Sequence, residues 1–254
     1  KPHCMRPFFF KHFALAGIIT IVAMSCQKSA DNATTTTSSA TLPDVFKKFN
    51  TTVTISVEGN YVVLKSNAVP DHKSPYFATT DSRYEAYNGS NAAYAKNPNS
   101  IITQNLTFKI PLNPASAATK QATALGPIGI SLNGVPFYNQ YAGPNQPLTN
   151  EINSFDQYNG HPQQSGQYHY HVEPLFLTSA KGRGALLGFL LDGYPVYGPL
   201  ENGTLVLNSS LDAYHGHTHA TTEYPNGIYH YHITADAPYI NGNGYYGTPG
   251  TVTQ

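Results

Sequence analysis

Beyond residue 50, apolar and polar residues alternate in short runs, broken every few positions by glycine, proline or asparagine. Thr52-Val53-Thr54-Ile55-Ser56-Val57 and Tyr61-Val62-Val63-Leu64 flank Glu58-Gly59-Asn60 and predict a hairpin. Asn105-Leu106-Thr107-Phe108-Lys109-Ile110-Pro111 predicts a further strand that ends at its proline. Between them lie a polar loop, Ser66-Asn67-Ala68-Val69-Pro70-Asp71-His72, and a stretch, 73–100, rich in Tyr, Asn, Ser and Gly with no helical period. The stretch reads as a long irregular excursion.

From residue 129 the pattern repeats. Gly129-Ile130-Ser131-Leu132-Asn133-Gly134-Val135-Pro136-Phe137-Tyr138 matches Gly188-Phe189-Leu190-Leu191-Asp192-Gly193-Tyr194-Pro195-Val196-Tyr197. Asn-Gly and Asp-Gly between apolar runs predict type I′ hairpins. Phe155-Asp156-Gln157-Tyr158-Asn159-Gly160-His161 then matches Leu211-Asp212-Ala213-Tyr214-His215-Gly216-His217. Each copy ends in a Tyr-His-Tyr-His run behind a glycine, Tyr168-His169-Tyr170-His171 and Tyr229-His230-Tyr231-His232. This internal duplication spans about 128–178 and 187–238, with a linking loop at 178–184. The predicted fold is all-β: a single domain of two pseudo-repeated lobes of hairpins and short strands, with long irregular loops and little helix. A pseudo-twofold pair sharing one sheet or one core suits two copies better than a solenoid. The Gly-, Asn- and Tyr-rich tail, 239–250, is expected to pack as an ordered loop.

The N-terminal pattern differs. Residues 8–24 are almost wholly apolar apart from Lys11 and His12, follow Arg6 and end at Ser25-Cys26. Such a run is an export signal by length and flanks, with Met5 the expected start. Ala23-Met24-Ser25-Cys26 resembles the lipobox of bacterial lipoproteins, which implies cleavage before Cys26 and its lipidation. The expected organisation is a signal and lipobox segment (1–26), a flexible Ser/Thr-rich tether (27–50) and one domain (51–254). The implied location is the cell envelope, periplasmic or outer-membrane face, with the membrane reached through Cys26. Cys4 and Cys26 are the only cysteines, so no disulfide and no cysteine nucleophile is expected in the domain.

Composition narrows the chemistry. Charged residues make up 11% of the 254, against about 25% in ordinary domains, and the formal net charge is zero. A basic footprint for nucleic acid is absent. No Gly-x-Ser-x-Gly, Walker or dinucleotide motif occurs, so any catalysis would run through a metal ion.

Histidine is the concentrated resource. In a strand, His169 and His171 share one side while Tyr168, Tyr170 and Val172 share the other; His230 and His232 oppose Tyr229, Tyr231 and Ile233 in the same way. The tyrosines suit a core with their hydroxyls hydrogen-bonded. The histidines, about 6.7 Å apart at the backbone, can converge on one ion. Imidazole suits transition metals, here Cu or Zn. The candidate ligands are His72, His161, His169, His171, His217, His230 and His232. A pair from each copy could build one site, or each copy could build its own with its Gly-His. Asp156 and Asp212 are candidates to accept the second ring N–H of ligand histidines, or else turn residues. The competing reading is a hydrogen-bonded Tyr/His lattice in a surface binding or adhesion module for a small-molecule, glycan or protein ligand. Oligomeric state is left open.

The repeated hairpins and Tyr-His-Tyr-His runs, together with Asp192-Gly193-Tyr194-Pro195-Val196-Tyr197-Gly198-Pro199, resemble the YHYH domain family over about 66–247. The 66–72 loop also resembles that family's early segment, with Ala68 where glycine is usual. The resemblance implies an exported protein, often a lipoprotein or part of a larger surface chain. It implies no particular reaction.

Overall fold

A computed structural model describes residues 41–254. The signal, the lipobox with Cys26 and most of the tether lie outside the described residues. Residues 43–50, placed above in the tether, belong to the packed domain. Asp44–Lys48 form a 3-10 helix, and Val45, Phe46 and Phe49 are buried. The Phe46 ring stacks 4.6 Å from that of Phe189, which ties this segment to the core.

The strands, in chain order, are β1 (Thr54–Glu58), β2 (Tyr61–Ser66), β3 (Leu106–Pro111), β4 (Pro127–Ser131), β5 (Pro136–Tyr138), β6 (Tyr141–Ala142), β7 (Gln146–Pro147), β8 (Gly160–Pro162) and β9 (Tyr168–Tyr170). After α1 (Leu175–Lys181) come β10 (Leu186–Leu190), β11 (Pro195–Tyr197), β12 (Leu200–Glu201), β13 (Thr204–Leu205), β14 (Gly216–His219), β15 (Ile228–His232) and β16 (Thr251–Thr253). The expected hairpin and third strand form an antiparallel sheet, β1-β2-β3-β16. Strand β3 alternates as its sequence does, with Leu106, Phe108 and Ile110 fully buried. The expected linker at 178–184 instead begins within α1, whose Leu177 and Thr178 are buried.

The duplicated region forms one eight-stranded sheet in the order β14-β15-β11-β10-β4-β5-β9-β8. The order is a palindrome about the antiparallel pair β10·β4, so the copies face each other across a pseudo-twofold axis within a shared sheet. In each half the hairpin's second strand runs parallel to the Tyr-His-Tyr-His strand, β5 with β9 and β11 with β15. The central strands β4 and β10 are buried along nearly their whole length, as expected of strands covered on both faces. Tyr168, Tyr170, Tyr229 and Tyr231 join Val62, Leu64, Phe108 and Ile110 in one core cluster, so both sheets share a single interior.

Two local features follow from backbone chemistry. The Asn133-Gly134 and Asp192-Gly193 hairpins are not type I′, because only the glycines have positive φ (85° and 83°). Ser131–Gly134 and Leu190–Gly193 close with a carbonyl-to-amide bond and the glycine forms a bulge, the geometry of a three-residue connection. Ala68 has φ 54° and is buried, which gives a physical reason for glycine to be usual there.

Candidate metal centres

In each half, three imidazoles and one carboxylate converge. His161 comes from β8, His169 from β9 and His171 from the residue after β9; Glu151, in the 3-10 helix Glu151–Ser154, completes the first group. His217 from β14, His230 and His232 from β15 and Glu201 from β12 form the second. Register explains the convergence. His161 pairs directly with His169 across β8·β9, and His217 with His230 across β14·β15, while the i+2 histidine follows on the same face. In each group one nitrogen or oxygen from every residue lies within 4.8 Å of all the others.

The spacing is compatible with a coordination shell. A tetrahedral ion with bonds of about 2.0–2.1 Å places its ligand atoms about 3.3 Å apart. In the first group Nε2 of His169 lies 3.0 Å from Nε2 of both His161 and His171, and Glu151 Oε1 lies 3.1 Å from His161 and 3.8 Å from His171. In the second, His230 is 3.2 Å from His217 and 3.1 Å from His232. Glu201 Oε1 is 3.2, 3.6 and 3.9 Å from His217, His230 and His232.

Tautomers decide what these contacts are. A carbonyl oxygen can only accept, so the Nδ1 of His169 donates to Gln167 O (3.0 Å) and that of His171 to Asn139 O (2.6 Å). His230 and His232 donate likewise to Ile228 O (3.0 Å) and Gly198 O (2.8 Å). His161 Nδ1 faces Ser154 Oγ at 2.7 Å; that hydroxyl gives its own proton to Glu151 O and so accepts from the ring. Ser210, before Leu211, holds the matching sequence position in the second copy. Burial holds His171 and His232 down to about 4, and His169 and His230 below the ordinary value, so the rings are neutral at pH 7. The Nε2 atoms of His169, His171, His230 and His232 therefore carry lone pairs. Two lone pairs 3.0 Å apart repel unless a proton or a metal ion lies between them.

Other predicted residues sit elsewhere. His72 belongs to neither group: its Nε2 meets the Tyr170 hydroxyl at 3.0 Å and its Nδ1 the Lys73 carbonyl at 2.9 Å. Asp156 and Asp212 bond no ligand histidine. Asp156 accepts from Tyr168 OH (2.8 Å), Ser74 Oγ (2.6 Å) and the Tyr158 amide (2.9 Å); Asp212 accepts from Tyr229 OH (2.9 Å) and the Tyr214 amide (2.9 Å). They lock the turn before each Gly-His to the tyrosine side of the sheet. The glycine is required because a Cβ at Gly160 or Gly216 would lie within 2.5 Å of the tyrosine ring that reaches across it. The backbone carbonyls and Ser154, rather than the aspartates, orient the rings.

The sequence reasoning missed Glu151 and Glu201, which lie at different distances from the repeated motifs. A signal existed: Glu151 is the only acidic residue between Tyr138 and Asp156, and Glu201 the only one between Tyr197 and Asp212.

The family model described as YHYH protein matches residues 107–207 and 200–244, together more than half of the chain. The chain belongs to the YHYH protein family. No curated protein and no solved structure matches it. Both His3Glu groups draw their histidines from the YHYH match: Tyr-His-Tyr-His supplies two of the three in each, and the Gly-His strand beside it supplies the third.

The halves are not identical. In the first, the Phe155 ring lies 4.8 Å from that of His161 and 5.7 Å from that of His171, and Tyr138 stacks on His169 at 3.8 Å. In the second, Leu211 replaces Phe155, and His219 adds a contact to the carboxylate, its Nδ1 3.0 Å from both Glu201 oxygens.

Proposed function

We propose that this YHYH protein binds two transition-metal ions per chain, one in each His3Glu group. The observation that carries the reading is the set of Nε2 lone pairs, fixed by their Nδ1–H donations and aimed at a common point in both halves. A set of three imidazoles and one carboxylate suits Zn²⁺ or Cu²⁺, and spacing close to that of a tetrahedral shell favours zinc. A hydrogen-bonded lattice would pair each acceptor with a donor, and the Nε2 atoms of His169, His171, His230 and His232 face one another or a carboxylate rather than a hydroxyl or amide donor. The leader and its lipobox support a place at the cell envelope, anchored through lipidated Cys26.

Elemental analysis of the mature domain, purified without a polyhistidine tag, tests the proposal. Two equivalents of zinc or copper per chain are expected. The double variants His169→Ala/His171→Ala and His230→Ala/His232→Ala should each retain one. A wild-type chain that takes up neither metal at micromolar concentration refutes the reading.

A further inference from the structure

The second group opens onto a cleft of about 720 Å³ whose lining includes Lys48, Lys181, Glu201, Glu223, His230 and His232, whereas the first opens onto a smaller one of about 440 Å³, lined by Glu151, His169 and His171 and by no lysine. His217 is 16% exposed at its side chain, where its counterpart His161 is 4% exposed. Lys48 is paired with Glu223, which also accepts from Tyr197 OH at 2.8 Å. Lys181, in the last turn of α1, has no ion-pair partner among the described residues. Two lysines and two glutamates, Glu201 and Glu223, leave the cleft formally neutral before an ion binds. A divalent ion makes it positive by two charges, with Lys181 as the unpaired cation at the rim.

His219 gives Glu201 a second partner. The ring is 57% exposed and its Nδ1 lies 3.0 Å from each carboxylate oxygen, while Glu201 Oε1 also faces the histidine cluster. The carboxylate can therefore leave the ion and stay bound. The first group has Gln163 at the matching position, two residues after His161; its side chain donates to Ser165 Oγ, and among the described residues no second imidazole holds Glu151 in this way. A four-ligand centre is closed to substrate unless one ligand yields or the shell expands.

We propose that the second centre is the working one and the first is structural. The second ion accepts a small anionic ligand, a carboxylate or another oxyanion-bearing molecule, from the cleft, in the place that Glu201 yields to His219. Lys181 draws the anion in by charge. This rests on the metal reading above. It adds which ion is open, what class of ligand it takes and which residues make room.

Cobalt(II)-loaded protein titrated with azide, a small anionic probe, tests the inference through the visible bands of the metal. With two cobalt ions bound, azide should change the spectrum by the amplitude of one. His219→Gln, at an exposed position, should weaken the response at least tenfold while keeping two ions. Lys181→Met should weaken azide binding about threefold at low salt, and less at high salt. Two bound ions of which neither or both respond, or a His219→Gln protein that responds as wild type, overturns the proposal and leaves the metal reading standing. A chain that takes up none of cobalt, zinc or copper overturns both.

Discussion

His215 gives a direct test of how this domain uses buried imidazole. It is 2% exposed, has φ 75°, and its Nε2 lies 2.9 Å from Thr234 Oγ1. Burial holds its pKa down to about 4 from the ordinary 6.5, although the Tyr239 backbone and the Asp212 charge favour the cation. The folded protein thus resists a proton that the unfolded chain accepts. The resulting stabilisation is full above pH 6.5 and is lost as the pH falls from 6.5 towards 4. The gap between 6.5 and about 4 corresponds to about 3 kcal/mol. Asn159, at φ 65°, holds the matching left-handed position in the first copy, so His215→Asn fits the backbone and removes the titration. At pH 7 the variant should be about 1 kcal/mol less stable, through the lost bond to Thr234. At pH 4 it should be about 2 kcal/mol more stable, so the two stability curves cross. Denaturant unfolding of metal-free protein at several pH values, followed by far-ultraviolet circular dichroism, measures both curves. Parallel curves would mean that His215 binds its proton equally in the folded and unfolded chain.

Tyr231→Phe removes a hydroxyl that donates to Asp192 Oδ2 at 2.6 Å and accepts the Tyr246 amide at 2.7 Å, so a loss of about 1–3 kcal/mol is expected in chemical denaturation. Burial raises Asp192 to about 6, so that loss should be largest above pH 6, where the carboxylate is charged, and shrink below it. Gly193→Ala should destabilise by well over 1–2 kcal/mol, roughly the left-handed penalty alone, because at φ 83° its Cβ would also lie 2.7 Å from the Pro111 carbonyl oxygen. Gly203→Ala, at φ 80° with open space around it, should cost only about 1 kcal/mol in the same denaturation series. Saturating zinc at about 100 times Kd should add about 2.7 kcal/mol per centre, roughly 5 in all, and a chelator should remove it; an unchanged melting temperature contradicts this.

Much of this architecture was legible because the duplication made it so. Period-2 alternation located β1, β2 and β3, and the two Tyr-His-Tyr-His runs located β9 and β15 with their tyrosines inward. The grouping of each histidine pair with its own Gly-His follows from the β8·β9 and β14·β15 registers, which no single segment encodes. What stayed hidden came from parts where the copies diverge. Glu151 sits on a 3-10 helix beyond the β6·β7 hairpin, whereas Glu201 sits in the β12·β13 hairpin itself, so aligning the copies does not superpose them. His72 shows the opposite failure: a histidine in a family-like loop is spent on the Tyr170 hydroxyl, and ligand type alone does not distinguish that role. The aspartates illustrate competition between two uses of a carboxylate, with backbone amides and tyrosine hydroxyls winning over imidazole N–H.

Under the proposed function, each half of the sheet holds an ion by three Nε2 atoms and one carboxylate oxygen. X-ray absorption at the zinc edge of protein loaded with two equivalents measures that shell directly. The predicted result is four light ligands at about 2.0–2.1 Å with the outer-ring scattering of three imidazoles per zinc. A six-coordinate oxygen shell, or zinc without imidazole scattering, would contradict it.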